Sequence, residues 1–182
     1  MRILVFAVLL PFSAARATTG RGIVHQEAVA AASETQFERM KALVGTWQGT
    51  ASAEGQAFPV EIRYRLTAAG RSLAETLFPG DEHEMVSLYH RDGPWLMMTH
   101  YCAGGNQPRM RAVQTEAPQA AGQGRIRFEF LDATNMASRE QAVMHDVLFE
   151  FDGPDHMQAT WTSFEGEKPG HAANFDVRRV GT

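Results

Sequence analysis

The chain has 182 residues, with 17 lysines and arginines against 21 aspartates and glutamates and a formal net charge of -4 at pH 7. It contains no Lys/Arg cluster, which excludes the basic footprint of a nucleic-acid-binding protein, and its scattered acidic residues read as solvated surface. The single cysteine cannot form an internal disulfide, so a fold of this length must rest on one hydrophobic core.

Residues 1–17, "MRILVFAVLLPFSAARA", begin with Arg2, run apolar from Ile3 to Phe12 and end on Ala15-Arg16-Ala17. This is the pattern of a secretory signal peptide cleaved before Thr18, and it predicts an exported protein, periplasmic or extracellular, with no membrane insertion in the mature form. Residues 18–32 are small, polar and without periodicity, and are expected to be a flexible leader. A β-barrel domain is expected over 33–182.

That domain should open with one short helix, "SETQFERMKALVG". Ser33 and Gln36 have the spacing of a capping box, and Phe37, Met40, Leu43 and Val44 share one face. Gly45 then stops the helix. The apolar face predicts that this helix covers something apolar.

After Gly45 the period changes to two. Phe58, Val60, Ile62, Tyr64 and Leu66 alternate with polar neighbours, and Leu73, Glu75 and Leu77 do the same after Ala69-Gly70. Residues 83–102, "HEMVSLYHRDGPWLMMTHYC", form two runs joined at Asp92-Gly93, a hairpin signal. Further runs begin near Gly124, Ala142, His156 and Ala172, and the weakly patterned 132–142 reads as a loop at a barrel mouth. These runs amount to about ten short strands with no alternating helices, which predicts an all-β antiparallel barrel or sandwich.

The stretch "LVGTWQGTA" resembles the Gly-x-Trp-x-Gly entrance of calycin-type barrels, the group of lipocalins, fatty-acid-binding proteins and nitrobindins. Together with "EMVSLYHRDG", "LMMTHYCAGGNQPRM", "NMAS", "MHDVLFEF" and "WTSFEG", the chain looks like a family of exported bacterial lipocalin-like proteins of unassigned function. The resemblance spans about residues 37–180. It implies an up-and-down barrel with an internal cavity.

The candidate site residues cluster after the hairpin. Pairing His90 with Trp95 places His83, Met85, Ser87, Tyr89, Leu96, Met98, His100 and Cys102 on one face. That face is expected inside because Glu84, on the other, would be costly to bury. Cys102 would then lie opposite His83, near His100, where an imidazole could favour the thiolate. Tyr89, His100, Tyr101, Cys102, Asn106, Gln107 and Arg109 are the candidate ligand-binding residues. Gly104-Gly105 with Asn106 also suits an ordinary turn.

His145 could meet His100 inside the barrel. His171 lies where nitrobindin-like barrels carry a haem-ligating histidine, so the resemblance leaves haem open through that residue; no other cofactor or metal is expected. Three functions remain open on the sequence. One is binding of an apolar or amphipathic small molecule. The second is a thiol/histidine enzyme or a metal- or haem-binding barrel. The third is a structural or interaction module. The sequence assigns no catalytic residue and no oligomeric state.

Overall fold

The computed structural model describes residues 19–113 and 122–181. The proposed signal peptide lies outside the described residues. One α-helix, α1 (Thr19–Lys41), precedes ten strands: β1 (Gly45–Ala53), β2 (Gln56–Thr67), β3 (Ser72–Leu77), β4 (Met85–Asp92) and β5 (Trp95–Tyr101), then β6 (Gln107–Val113), β7 (Gly124–Thr134), β8 (Ala142–Phe151), β9 (His156–Glu165) and β10 (Lys168–Gly181). Each strand pairs antiparallel with its sequence neighbours, and β1 pairs with β10 to close the barrel. The expected all-β antiparallel barrel of ten strands is therefore the observed fold.

The helix differs from expectation. It runs back through the stretch read as a flexible leader, and Ser33 sits in its middle instead of capping its start. The reason is composition: "EAVAAAS" is alanine-rich, and alanine has the highest helix propensity. Ser33 is buried with its hydroxyl unpartnered, and the amide of Gln36 donates instead to the carbonyl of Val113 at 2.9 Å. Val29, Phe37, Met40 and Leu43 are buried, so the predicted apolar face does pack inward.

The helix closes one end of the barrel. Arg39 donates to the carbonyls of Gly122 (2.7 Å) and Gly153 (3.0 Å), and its guanidinium lies 3.9 Å from the centre of the Phe151 ring. Arg91 pairs with Glu34. Trp47 is buried beneath the last turn, its indole N–H donating to the Leu43 carbonyl at 2.7 Å, while Arg179 stacks 4.4 Å from the ring centre. The two glycines flanking Trp47 have separate jobs. Gly45 adopts a positive φ of 131°, and a Cβ on Gly49 would stand 2.0 Å from the backbone oxygen of Asp176 across the β1–β10 seam.

The opposite end carries the loops 78–84, 102–106 and 135–141. Trp47, Tyr89, Phe149, Phe151 and Val177 fill the helix-covered half, and toward the opposite end Ala51, Ala173, Ser87 and Ser163 share the inner face with Trp161, Phe175 and Leu77. The outer wall carries charged pairs, among them Arg63–Glu61, Arg109–Asp132 and Arg125–Glu150.

Candidate functional site

The β4–β5 hairpin sets the site. Asp92 pairs with Trp95 and Ser87 with His100, so facing residues are offset by two from the register expected on the sequence. The turn is Gly93-Pro94: Gly93 takes φ = 55°, and Pro94 supplies the fixed negative φ that a two-residue turn accepts in its second place. Because side chains alternate with period two, an error of two residues leaves the inward face unchanged. Ser87, Tyr89, Leu96, Met98 and His100 are all buried, as expected, and Glu84 is exposed, accepting a hydrogen bond from Gly80 N–H.

Four inward residues on neighbouring strands stand directly opposite one another: Tyr64 with Glu75, Glu75 with Ser87, and Ser87 with His100. Tyr64 also pairs with Gly45, the first residue of β1, at the helix end, whereas His100 is one residue from the loop end of β5. Strand tilt thus carries the row obliquely along the barrel. It forms a polar strip in an otherwise apolar core, hydrogen-bonded from Tyr64 to Glu75 and from Ser87 to His100.

Its centre is Glu75, 1% exposed. Tyr64 and Tyr89 each donate a phenolic hydrogen to its carboxylate, at 2.6 and 2.7 Å. Burial pushes the Glu75 carboxyl above its usual range, against the pull of the hydrogen bonds from Tyr64, Tyr89 and Ser87. The two phenols are themselves driven up, first by burial and then by the adjacent carboxylate. At the other end of the row, Ser87 Oγ lies 3.0 Å from His100 Nδ1, and the imidazole packs at 4.8 Å against the indole of Trp161. Burial lowers His100 to about 4, so the ring is neutral at neutral pH.

The order Glu75–Ser87–His100 differs from that of a nucleophile triad. The serine sits between acid and imidazole, on Nδ1, instead of facing the reactive nitrogen. The arrangement can hold a proton and orient a ligand. Neither Glu75 nor Tyr64 was among the sequence candidates, although Glu75 alternates with Leu73 and Leu77 on a face that had to be buried.

The remaining candidates separate. Asn106 is buried, and the loop 102–106 folds so that Cys102 N–H donates to the Asn106 carbonyl at 3.2 Å. This places Asn106 opposite Cys102 on the inner face, diagonal to His100. Its amide Nδ2 donates to Ala142 O at 2.9 Å, while Oδ1 has no partner among the described residues. Gln107 is a loop clamp, donating to Gly105 O (2.9 Å) and accepting from Thr134 Oγ1 (2.8 Å). Asn135 and Gln141 reach the same loop through the Gly105 and Gly104 carbonyls, so 102–106 and 135–141 brace each other at the barrel mouth.

Tyr101 alternates outward and is 47% exposed. Arg109 lies on the outer wall, bidentate with Asp132, and its Nε–Oδ1 distance is 2.6 Å. Cys102 is not opposite His83: β5 ends at Tyr101, and the thiol accepts from Gly104 N–H at 3.4 Å, while His83 is in the exposed 78–84 loop beside Asp81.

The other histidines also stand apart from the row. His145 occupies a bulge in β8 and is stacked between Phe130 (4.8 Å) and Phe164 (4.2 Å), so it does not meet His100. His171 follows the Pro169 register shift in β10 and faces outward, its side chain 68% exposed and 3.5 Å from Glu54. No group of three or more histidine, cysteine or acidic side chains gathers in metal-binding geometry among the described residues.

No protein-family model matches this chain, and no curated protein matches it significantly. What the fold establishes is a closed ten-stranded antiparallel barrel with one helix, compatible with a calycin-like barrel.

Proposed function

We propose that this is an exported lipocalin-like barrel that binds a small, largely apolar molecule in its interior, entering at the loop-bearing end. The observation that carries this reading is the polar strip of Tyr64, Glu75, Tyr89, Ser87 and His100 inside an apolar core. A buried acid held by two phenols is a poor way to gain stability, because well-packed apolar residues of similar size generally do as well or better. Ligand sites, by contrast, are apolar surfaces with a few fixed polar anchors.

One feature agrees with this reading. A ten-stranded barrel is wider than the eight-stranded kind whose side chains just fill it. Native mass spectrometry of the purified chain, combined with titration of the neutral apolar dye N-phenyl-1-naphthylamine, tests the proposal. Bound mass or saturable dye fluorescence is the expected result. Protein that carries nothing and leaves the dye dark would overturn it. Mass analysis of exported material starting at Thr18 would support the export part separately.

A further inference from the structure

The interior polar groups also restrict what kind of head group such a ligand carries. This deepens the binding reading above and rests on it. Among the described residues the buried polar side chains, besides the phenols of Tyr64 and Tyr89, are Ser33, Glu75, Ser87, His100, Asn106 and Ser163; none is an arginine or lysine. An anionic head group would find no buried cation and would share the barrel with the Glu75 carboxyl. A buried charge without a partner is strongly disfavoured.

What the loop end does offer is acceptors. Asn106 Oδ1 is buried and unpartnered, and its assignment as oxygen is fixed because the amide nitrogen must donate to Ala142 O. Diagonal to it on the next strand, the His100 ring makes its one hydrogen bond at Nδ1, to Ser87, and Nε2 has no partner among the described residues. Ser87 also faces the Glu75 carboxyl across the β3–β4 pair. With the serine hydrogen turned toward Glu75, Nδ1 carries the imidazole hydrogen, and Nε2 is left as a bare lone pair. A buried acceptor with no partner, as Asn106 Oδ1 is, costs free energy that a donor on a ligand restores.

We infer that the loop end of the barrel receives a neutral hydrogen-bond-donating head group, an alcohol or a primary amide on an apolar tail, with Asn106 Oδ1 and His100 Nε2 as its acceptors. Carboxylate ligands are disfavoured by the same geometry.

The test uses the full chain and three ten-carbon probes: 1-decanol, its isomer methyl nonyl ether, and decanoate. Each is assayed by displacement of N-phenyl-1-naphthylamine at pH 7. Decanol and the ether contain the same atoms and differ in whether the oxygen carries a hydrogen. Decanol is expected to displace the dye at a concentration at least about tenfold lower than the ether, with decanoate weaker than decanol by a similar factor. Asn106→Leu should lower the decanol-to-ether ratio by several fold, and an unchanged ratio would remove Asn106 as an acceptor.

Nitrogen-15 NMR of the His100 ring supplies an independent readout: hydrogen on Nδ1 is expected, and hydrogen on Nε2 would remove His100 as an acceptor. If decanol and the ether displace the dye equally, the acceptors are satisfied by water and this inference fails while the binding reading survives. If decanoate is the best of the three, a carboxylate ligand is bound and the inference also fails. If the dye itself does not bind, both fall together.

Discussion

Ser87 Oγ stands 3.0 Å from His100 Nδ1, directly across the β4–β5 pair, so the buried imidazole leans on a hydroxyl and not on a carboxylate. Without an anion to stabilise its charged form, burial alone decides its protonation and lowers it from 6.5 to about 4. Between those values the unfolded chain carries a proton on this histidine that the folded chain does not. Stability therefore rises with pH across that window and is lost as pH falls from 6.5 toward 4, by about 3 kcal/mol at most. Glu75 acts in the opposite sense. Its raised carboxyl binds a proton more readily folded than unfolded, so its contribution is full below the ordinary carboxylate value of 4.5 and fades as pH rises through the folded value. Urea unfolding of wild type and His100→Gln from pH 4 to 7 separates the two. The variant should lose the rise, or reverse it; an unchanged slope would show that His100 is not the buried neutral group.

Tyr64 and Tyr89 bind the two oxygens of the same carboxylate, one each. Tyr64→Phe or Tyr89→Phe should therefore destabilise by about 1–3 kcal/mol, the range for leaving a buried acceptor short of a donor. The triple change Tyr64→Phe, Tyr89→Phe, Glu75→Leu removes acceptor and donors together. It should cost less than the sum of the two single tyrosine changes, since neighbours in one network are not additive. A triple variant as damaged as that sum would mean that the strip is a structural keystone, and the functional argument from its presence would weaken.

The strands and the inward face of β4–β5 were legible because alternation survives a register error of two. The same alternation displayed the core of the site: Glu75 stands between Leu73 and Leu77, and Tyr64 between Ile62 and Leu66. What a single strand cannot show is cross-strand pairing, and it is pairing that joins Tyr64, Glu75, Ser87 and His100 into one row. Loop contacts were equally hidden. Asn106 finds its hydrogen-bond partner at Ala142, 36 positions away, whereas Cys102, conspicuous as the lone thiol, ends in a turn. At the helix, local capping signals at Ser33 gave way to the alanine-rich residues before it, whose continuous helix buries Val29 as well.

Cys102 offers a simple control on the thiol alternative. Its sulfur accepts one hydrogen bond from Gly104 N–H, which a hydroxyl can replace. Cys102→Ser should change stability by no more than about 0.5 kcal/mol and leave dye binding intact. Loss of ligand binding in this variant, with the fold preserved, would return the thiol to the site.

Gly49 tests the closure of the barrel. A methyl group there meets the Asp176 carbonyl oxygen at 2.0 Å and the Val177 Cα at 2.8 Å, both backbone atoms of the partner strand that cannot rotate away. Gly49→Ala should destabilise by about 3 kcal/mol or more, at the upper end of overpacking effects, by forcing β1 and β10 apart. Gly93→Ala makes a useful comparison. Nothing lies near its added Cβ, and only the positive φ is strained, so the cost should be about 1 kcal/mol. Equal losses at the two positions in thermal unfolding would mean that the seam yields more easily than its geometry implies.

Arg179 joins three parts of the chain at the helix-covered end. Its guanidinium donates to the Ala42, Leu43 and Val44 carbonyls after the last turn of α1, to Pro154 O at 3.0 Å and to Asp155 Oδ1 at 2.9 Å, and it stacks on Trp47. Helix C-terminal carbonyls lack intrahelical partners, so this one side chain caps the helix and pins it to β10. A lysine keeps the charge but not the planar fork, and it cannot serve both carbonyl sets while lying flat on the indole. Arg179→Lys should therefore cost about 2 kcal/mol, and Arg179→Ala about 3 kcal/mol. The loss should be local first: hydrogen exchange is expected to speed up in residues 36–44 before it does so in the strands of the polar row. If exchange accelerates uniformly around the barrel instead, the helix is an inseparable part of the closure and not a cap laid over one end.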